Sequence, residues 1–334
     1  MKKTINLQKS TYQAAKVAVK KGNLFGSEKI KELSTLSFEE ILKFLEENGF
    51  KDSIDKNYLE FEGFYLIEKI INNHLSKIYS SIFRSSSVQN KKLLELYYLK
   101  YQIHNILAVL RCKKAEESDI SPYLLGDSHR QEKYFKAFEM PVEDALVYML
   151  KKIGFDSAKG LEKYIQGDLF ELENFLYSSY YSQLNNTSFY YNKKDEMNFF
   201  KFIRKYIDLI NIRTFTKLKV ESNQNLSFEE LFIKGGFLKL DYFSNLIEKE
   251  VSEALKEFSK QYTKIEVNNP TSIDNQINIL KNSSQKIFNN VAFGSPFYTL
   301  KFLFQAEQEM SQLRTLLKAK YLKLSSEEIN ELLY

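Results

Sequence analysis

The chain has 334 residues, of which 48 are lysine or arginine and 43 are aspartate or glutamate, giving a formal net charge of +5 and one cysteine, Cys112. This charge is too mild for the concentrated basic stripe of a typical nucleic-acid binder, and a lone cysteine excludes both an intrachain disulfide and a cysteine-built metal cage. With only 11 glycines and 4 prolines, the composition favours long helices, so we predict an all-α protein.

The first predicted element is a basic segment, residues 1–21, which holds six lysines and no acid. It is either a solvated amphipathic helix or an arm that touches anionic lipid or an acidic partner. A serine followed by two acids at Ser37-Phe38-Glu39-Glu40 predicts a helix start, and Asn48-Gly49 predicts its end. The same opening returns at residues 227–230.

Long helices follow in pairs, which predicts three helical hairpins. Their ranges are 58–83 with 88–115, 168–184 with 193–220, and 271–290 with 295–321. Ser85-Ser86-Ser87 separates the first pair. Shorter helices are predicted near 141–153, 227–233 and 239–262, with helix stops at Gly154, Gly160, Gly235-Gly236 and Gly294.

The second helix of each pair carries one repeated pattern: a polar residue, a carboxamide three residues later, an apolar residue at offset seven and a lysine at offset eleven. The copies read Gln102-Asn105-Val109-Lys113, Asp208-Asn211-Phe215-Lys219 and Glu309-Gln312-Leu316-Lys320. At about 100° per residue these side chains share one helix face, whereas the basic residue at offset nine (Arg111, Lys217 or Lys318) points to the opposite side.

The copies are roughly 100 residues apart, far more than the about 33 to 47 residues of a helical solenoid repeat. We therefore predict three domain-sized helical repeats, 1–125, 126–235 and 236–334. No Gly/Ser-rich or acidic linker divides them, so they are expected to pack as one unit. The helix dipole explains the basic residues at the helix ends, but the polar residues beside apolar ones predict contacts either between modules or with a partner.

We find no sequence signature of catalysis or of a cofactor. The histidines His74, His104 and His129 lack metal-ligand spacing, the Gly235-Gly236 pair lacks the P-loop pattern, and no nucleophile motif is present. The many tyrosines and phenylalanines could stack bases, but their helical spacing favours core packing. No apolar run approaches the roughly 18 residues of a membrane span, so a cytoplasmic protein without a cofactor or metal is expected.

The segments around the repeated pattern resemble a central-stalk component of V-type and A-type rotary ATPases, which is called the d subunit in the first and the C subunit in the second. The similarity covers residues 105–113, 208–213 and 307–314, and it extends to Tyr12–Val17, Gly235-Gly236-Phe237 and Leu324–Ile329. The chain departs from the pattern at Gln312, which replaces asparagine, and at Leu107, which replaces the arginine found at Arg213 and Arg314.

The resemblance implies three similar helical modules in a pseudo-threefold, funnel-shaped arrangement. The wide end would receive the foot of the rotor shaft, and the base would sit on the proteolipid rotor ring of a proton- or sodium-translocating ATPase. A protein with this role is non-catalytic and peripheral to the membrane at its cytoplasmic side. The competing interpretation is a cytosolic helical scaffold or a nucleic-acid-binding module.

If the resemblance holds, basic residues near the helix ends line or support the shaft cavity. The candidates are Arg111, Lys113, Arg213, Lys217, Lys219, Arg314, Lys318 and Lys320. The shaft and the membrane ring are then the expected partners, with no nucleic acid and no membrane span.

Overall fold

A computed structural model describes residues 2–126, 128–187, 194–221, 228–261 and 291–333. These residues form helices and no strand, which confirms the predicted all-α class. The pseudo-threefold funnel and the repeat boundaries 1–125, 126–235 and 236–334 stay predictions. Among the described helices, none has the length and apolar character needed to cross a bilayer.

Numbered in chain order, the α-helices of the described residues are α1 (Lys2–Gly22), α2 (Gly26–Leu33), α3 (Phe38–Leu45), α4 (Lys51–Asp55), α5 (Gly63–Ser85), α6 (Val88–Lys114), α7 (Ser128–Phe138), α8 (Val142–Ile153), α9 (Ser157–Thr187), α10 (Lys194–Glu221), α11 (Phe228–Leu231), α12 (Leu240–Ser244), α13 (Val251–Gln261), α14 (Pro296–Tyr321) and α15 (Ser326–Leu332). They belong to two compact units, the first formed by Met1–Leu172 with Ala292–Tyr334 and the second by Glu173–Val291.

The predicted serine cap at Ser37 begins α3, whereas Ser227, predicted to begin a helix in the same way, lies outside the described residues. At α3 the Glu40 amide donates to Ser37 Oγ at 3.2 Å, and the Ser37 amide donates to the Glu40 carboxylate at 2.8 Å. This reciprocal pair satisfies two amides that a helix start otherwise leaves without partners. Helical geometry then ends at Asn48 and Gly49, where Gly49 has a φ of +96°. The serine break also forms, because α5 ends at Ser85 and Ser87 caps α6.

Three details differ from the predicted helices. Gly160 is not a helix stop but lies in the first turns of α9, because Asp156 accepts the amides of Ala158 and Lys159 and starts the helix. The helix predicted at 168–184 is the longer α9, with non-helical backbone at Gly167 and Asp168. The helix predicted at 239–262 is two helices, α12 and α13, and carbonyls between them bind a lysine of another helix. The predicted helix at 271–290 lies outside the described residues.

The first unit is built around α14, which packs against α1, α2, α3, α5 and α6. Apolar side chains on several sides of α14 are fully buried, among them Phe297, Leu303 and Leu316. A helix that is apolar nearly all round belongs inside a bundle. The second unit centres on α10, where Phe215 meets the rings of Phe228, Phe243 and Phe258 at centroid distances of 5.2, 5.7 and 5.7 Å.

A half-buried carboxylate, Glu307, joins α14 to α5 and α6. It accepts hydrogen bonds from the hydroxyls of Tyr79 at 2.6 Å and Tyr97 at 3.1 Å, and from Lys100 Nζ at 2.5 Å. The Lys100 ammonium also lies 3.9 Å from the Tyr97 ring centroid. Because several donors satisfy one carboxylate, the charge is tolerated in a site where only 17% of its side chain is exposed.

Candidate functional site

The asparagines of the repeated pattern bind the chain's own backbone in two copies with the same geometry. Asn105 donates to the Leu125 carbonyl and accepts the Leu125 amide, both at 2.8 Å. Asn211 makes the same pair of bonds with Ile233, both at 2.9 Å. Both asparagines are buried. The sequence predicted contacts between modules or with a partner for these polar positions, whereas each asparagine binds backbone within its own predicted repeat, 1–125 or 126–235.

A glycine follows each of these backbone anchors, with φ of +109° at Gly126 and +113° at Gly235. The left-handed backbone turns the chain away from the helix, and it is accessible to glycine at little cost. The side of Gly236 faces the buried Asp208, and a Cβ built there would lie 1.9 Å from Asp208 Oδ1. The glycine at residue 236 is therefore required for the close approach of this turn to α10.

The first position of the pattern carries two buried carboxylates that accept backbone amides. Asp208 accepts the amides of Phe237 and Leu238, both at 3.0 Å. Glu309 accepts the amide of Gly26 at 3.1 Å. The third copy therefore binds a segment near the start of the chain. The first copy has Gln102 here, whose side-chain oxygen accepts Lys133 Nζ at 2.7 Å.

Two of the eight candidate basic residues cap the ends of neighbouring segments. Lys113 Nζ donates to the carbonyls of Phe138 at 2.8 Å and Met140 at 2.6 Å. Lys219 Nζ donates to the carbonyls of Leu246 at 3.5 Å and Ile247 at 2.5 Å. A cation at such carbonyls satisfies groups that the helix cannot satisfy itself. The sequence holds a signal for this equivalence, because each capped segment carries a Tyr-Phe pair, Tyr134-Phe135 and Tyr242-Phe243, four residues before the first capped carbonyl.

The other candidates differ in exposure. In the first unit, Arg314 Nε and Lys318 Nζ both bind the carboxylate of Glu68, at 3.0 and 2.6 Å. Arg314 also donates to Asn72 at 2.9 Å. Lys320 is half-buried, whereas Arg111, Arg213 and Lys217 are exposed. Sequence reasoning missed Glu68, because a contact across the long chain interval to Arg314 leaves no local signal.

An exposed apolar patch borders the Glu68 cluster and was also missed. We call it the α5–α14 patch, and it consists of Phe64, Tyr65, Tyr321 and Leu322. Between 41% and 58% of each residue is exposed. The Phe64 and Tyr321 rings pack at a centroid distance of 5.4 Å, and Lys318 Nζ lies 5.6 Å from the Phe64 centroid. A contiguous apolar surface with basic neighbours is typical of a protein contact site.

Burial shifts two titratable groups near the pattern, His104 and Cys112, towards their uncharged forms. Burial lowers the pKa of His104, whose Nε2 lies 3.0 Å from the Tyr123 carbonyl. Burial raises the pKa of the Cys112 thiol to about 11, so little of the reactive thiolate forms. Across the described residues, His, Cys, Asp and Glu side chains form no group of three or more suited to a metal ion.

Glu309 should make stability depend on pH. Burial raises its pKa from 4.5 to about 7, although the amides of Gly26 and Phe25 oppose this shift. The carboxyl is protonated in both states below about pH 4.5, so its stabilising effect is lost as pH rises through about 7. The free energy of unfolding should fall by on the order of 3 kcal/mol as the pH rises from about 4.5 to about 7. Glu309→Gln should abolish that fall.

The test is urea unfolding of the wild-type chain and of Glu309→Gln at pH 5, 6, 7 and 8. All other titrating groups, including His74, are shared and cancel in the difference between the two proteins. Parallel curves of unfolding free energy against pH would show that Glu309 has an ordinary pKa.

Comparison with known proteins gives one consistent match. The sequence model of the ATP synthase (C/AC39) subunit family matches residues 14–332. The protein named as the C subunit of the A-type ATP synthase in Methanococcoides burtonii is 26% identical, over 95% of this chain and 92% of its own length. The proteins of that name from Methanosarcina acetivorans and Archaeoglobus fulgidus are each 25% identical, over 96% and 95% of this chain and 91% and 94% of their own lengths.

Proposed function

Because the chain belongs to the ATP synthase (C/AC39) subunit family, which includes the d and C subunits of V-type and A-type rotary ATPases, we propose that it is the non-catalytic central-stalk subunit of such an enzyme. In this role it receives the rotor shaft of the soluble sector and rests on the proteolipid ring. It is then cytoplasmic and reaches the membrane through the complex.

Two groups of residues support the proposal. The first are buried polar side chains that bind the chain's own backbone, which we call the buried ties, and the second are exposed basic side chains. Asn105, Asn211, Asp208 and Glu309 bind the chain's own backbone inside each unit. Satisfied buried polar groups of this kind fix one packing arrangement and make it stiff. A protein that transmits torque needs such stiffness and needs no titrating catalytic group.

The exposed candidates are the ones we assign to direct contact with the shaft. Arg111, Arg213 and Lys217 lie on the helix sides that face away from the buried ties. Lys113, Lys219, Arg314 and Lys318 are half-buried and bind carbonyls or Glu68, so we assign them a supporting role on the ground of their lower exposure. In the first unit, the α5–α14 patch supplies an apolar anchor beside Lys318.

Charge reversal of the exposed residues should weaken shaft binding while the fold stays intact. We expect the triple variant Arg111→Glu, Arg213→Glu, Lys217→Glu to bind an isolated shaft subunit at least about tenfold more weakly, because the reversed charges remove the attraction that steers and holds the partner. Isothermal titration calorimetry measures the affinity, and circular dichroism checks the fold.

The matched control reverses three other exposed lysines, Lys31→Glu, Lys201→Glu and Lys256→Glu, with the same change in net charge. Equal affinity of the wild-type chain and the first variant would refute the assigned contact residues. Failure to co-purify with a shaft subunit or with proteolipid-containing membranes would refute the stalk role itself. Salt-sensitive binding to oligonucleotides instead would favour a nucleic-acid module.

A further inference from the structure

A basic cavity lies in the first unit between α6, α7 and α8. It has a volume of about 450 Å³, and the described residues of its lining include the cations Arg130, Lys133, Lys136 and Lys152 and one carboxylate, Glu132. At Arg130 it adjoins a second cavity of about 720 Å³, whose described lining adds five cations and two carboxylates. Cationic side chains therefore greatly outnumber acids in one concave region of a chain whose total charge is only +5.

Aromatic rings hold these cations at the cavity wall. Lys136 and Lys152 lie 5.7 and 5.5 Å from the centroid of the same ring, that of Tyr148. Arg130 lies 4.4 Å from the Phe83 centroid. Cation–π contacts stabilise a positive charge without neutralising it. Burial, together with the charges of Arg130 and Lys152, lowers the pKa of Lys133 to about 8.

The repeated pattern shows what this cavity lacks. Its first position carries a carboxylate in two copies, Asp208 and Glu309, and both carboxylates are occupied by backbone amides. The first copy has the neutral Gln102, which lines the cavity and accepts Lys133 Nζ. A carboxylate at residue 102 would pair with Lys133 and cancel part of the cluster's charge. With Gln102 at this position, the pattern supplies no carboxylate to Lys133.

We propose that this cavity binds a polyphosphate group, carried either by inorganic polyphosphate or by a nucleotide. Its volume lies in the range of about 300 to 1,000 Å³ of small-ligand sites, whereas a docked protein segment covers a broader surface. Lysine ammonium groups act as point charges for phosphate oxygens from several directions. The adjoining cavity beyond Arg130 offers cationic lining for a longer chain of phosphates. This site is independent of the proposed shaft contact.

The test is calorimetric titration of the full chain with tripolyphosphate, ATP, AMP and sulfate at constant ionic strength. We expect one site per chain that takes tripolyphosphate or ATP and rejects sulfate and AMP. Comparable binding of tripolyphosphate and ATP assigns recognition to the phosphates alone, and tighter binding of ATP assigns a nucleotide. At pH 8, binding should also take up protons, because a bound polyanion favours the protonated form of Lys133.

Gln102→Glu is the sharpest variant, since it changes one near-isosteric side chain and adds one negative charge beside Lys133. We expect it to weaken binding at least about tenfold. Lys133→Gln removes a cation from the cavity instead of adding an anion, and it should also weaken binding at least about tenfold. Gln166→Glu, on the exposed surface and outside both cavities, is the matched control and should bind as the wild type does.

Three results would overturn the proposal. The first is equal affinity of the wild-type chain and of folded Gln102→Glu and Lys133→Gln. The second is sulfate binding as tight as that of tripolyphosphate. The third is saturable binding of a polyglutamate peptide with no binding of either polyphosphate, which would identify the cavity as a dock for an acidic protein segment. Shaft binding unaffected by these variants would leave the stalk role standing in every case.

Discussion

Replacing Asn211 by leucine should lower the free energy of unfolding by about 3 to 5 kcal/mol. The side chain is fully buried and satisfies both the amide and the carbonyl of Ile233. Leucine has a similar volume but leaves both backbone groups without partners, at about 1 to 3 kcal/mol each. Asn105→Leu should have a loss of the same size at Leu125, because the contact there is equivalent. Urea unfolding measures both values.

The control is Asn23→Leu at an exposed turn, which should change the unfolding free energy by less than about 0.5 kcal/mol. Asn211→Asp adds a second check, since it keeps an acceptor for the Ile233 amide but sets a carboxylate against the Ile233 carbonyl. It should therefore also destabilise. Losses below about 1 kcal/mol in both leucine variants would mean that these asparagines do not anchor the segments after α6 and α10.

Replacing Glu307 by leucine should lower the free energy of unfolding by about 3 to 5 kcal/mol. The change leaves the Lys100 ammonium, whose side chain is only 22% exposed, without its carboxylate, and it removes the acceptor of the Tyr79 and Tyr97 hydroxyls. Removing one partner of a buried ion pair is costly because the remaining charge stays in a poorly solvated site. Chemical denaturation followed by circular dichroism measures the loss.

A double variant separates the lost charge partner from simple loss of packing. Glu307→Leu combined with Lys100→Met removes both charges, so it should recover a large part of the stability that Glu307→Leu alone loses. Glu47→Leu, at an exposed position, is the control and should have little effect. If the double variant is less stable than Glu307→Leu, the unpaired charge of Lys100 is not the cause of the stability that Glu307→Leu loses.

The helices could be predicted because their signals are local. Ser37 and Glu40 lie three residues apart, and the hairpin break at Ser85-Ser86-Ser87 is contiguous, so short-range hydrogen bonds decide both. The break between α12 and α13 could not be predicted, because the carbonyls of Leu246 and Ile247 leave the helix to bind a lysine on α10. A distant partner there overrides a helical pattern that looks continuous.

In the candidate site, too, the local features could be predicted from the sequence and the long-range contacts could not. Spacing correctly placed the pattern residues on shared helix faces, and it identified the positions that turned out to hold the backbone ties. It could not distinguish Lys113, which caps carbonyls, from Arg111, which is exposed, because both are basic residues near the end of α6. It also gave no hint of Glu68 or of the α5–α14 patch, which depend on how α5 and α14 meet.

The bond from Gly26 to Glu309 and the central place of α14 fix an order of events during translation. Residues 26 to 172 leave the ribosome long before α14, so the faces of α2, α3 and α5 that pack against α14 stay uncovered until α14 has been synthesised. The second unit, whose residues are contiguous, can form while the first still waits. A polypeptide that stops short of residue 296 therefore exposes an unfinished core to chaperones and proteases, so truncated products should be cleared rather than assembled.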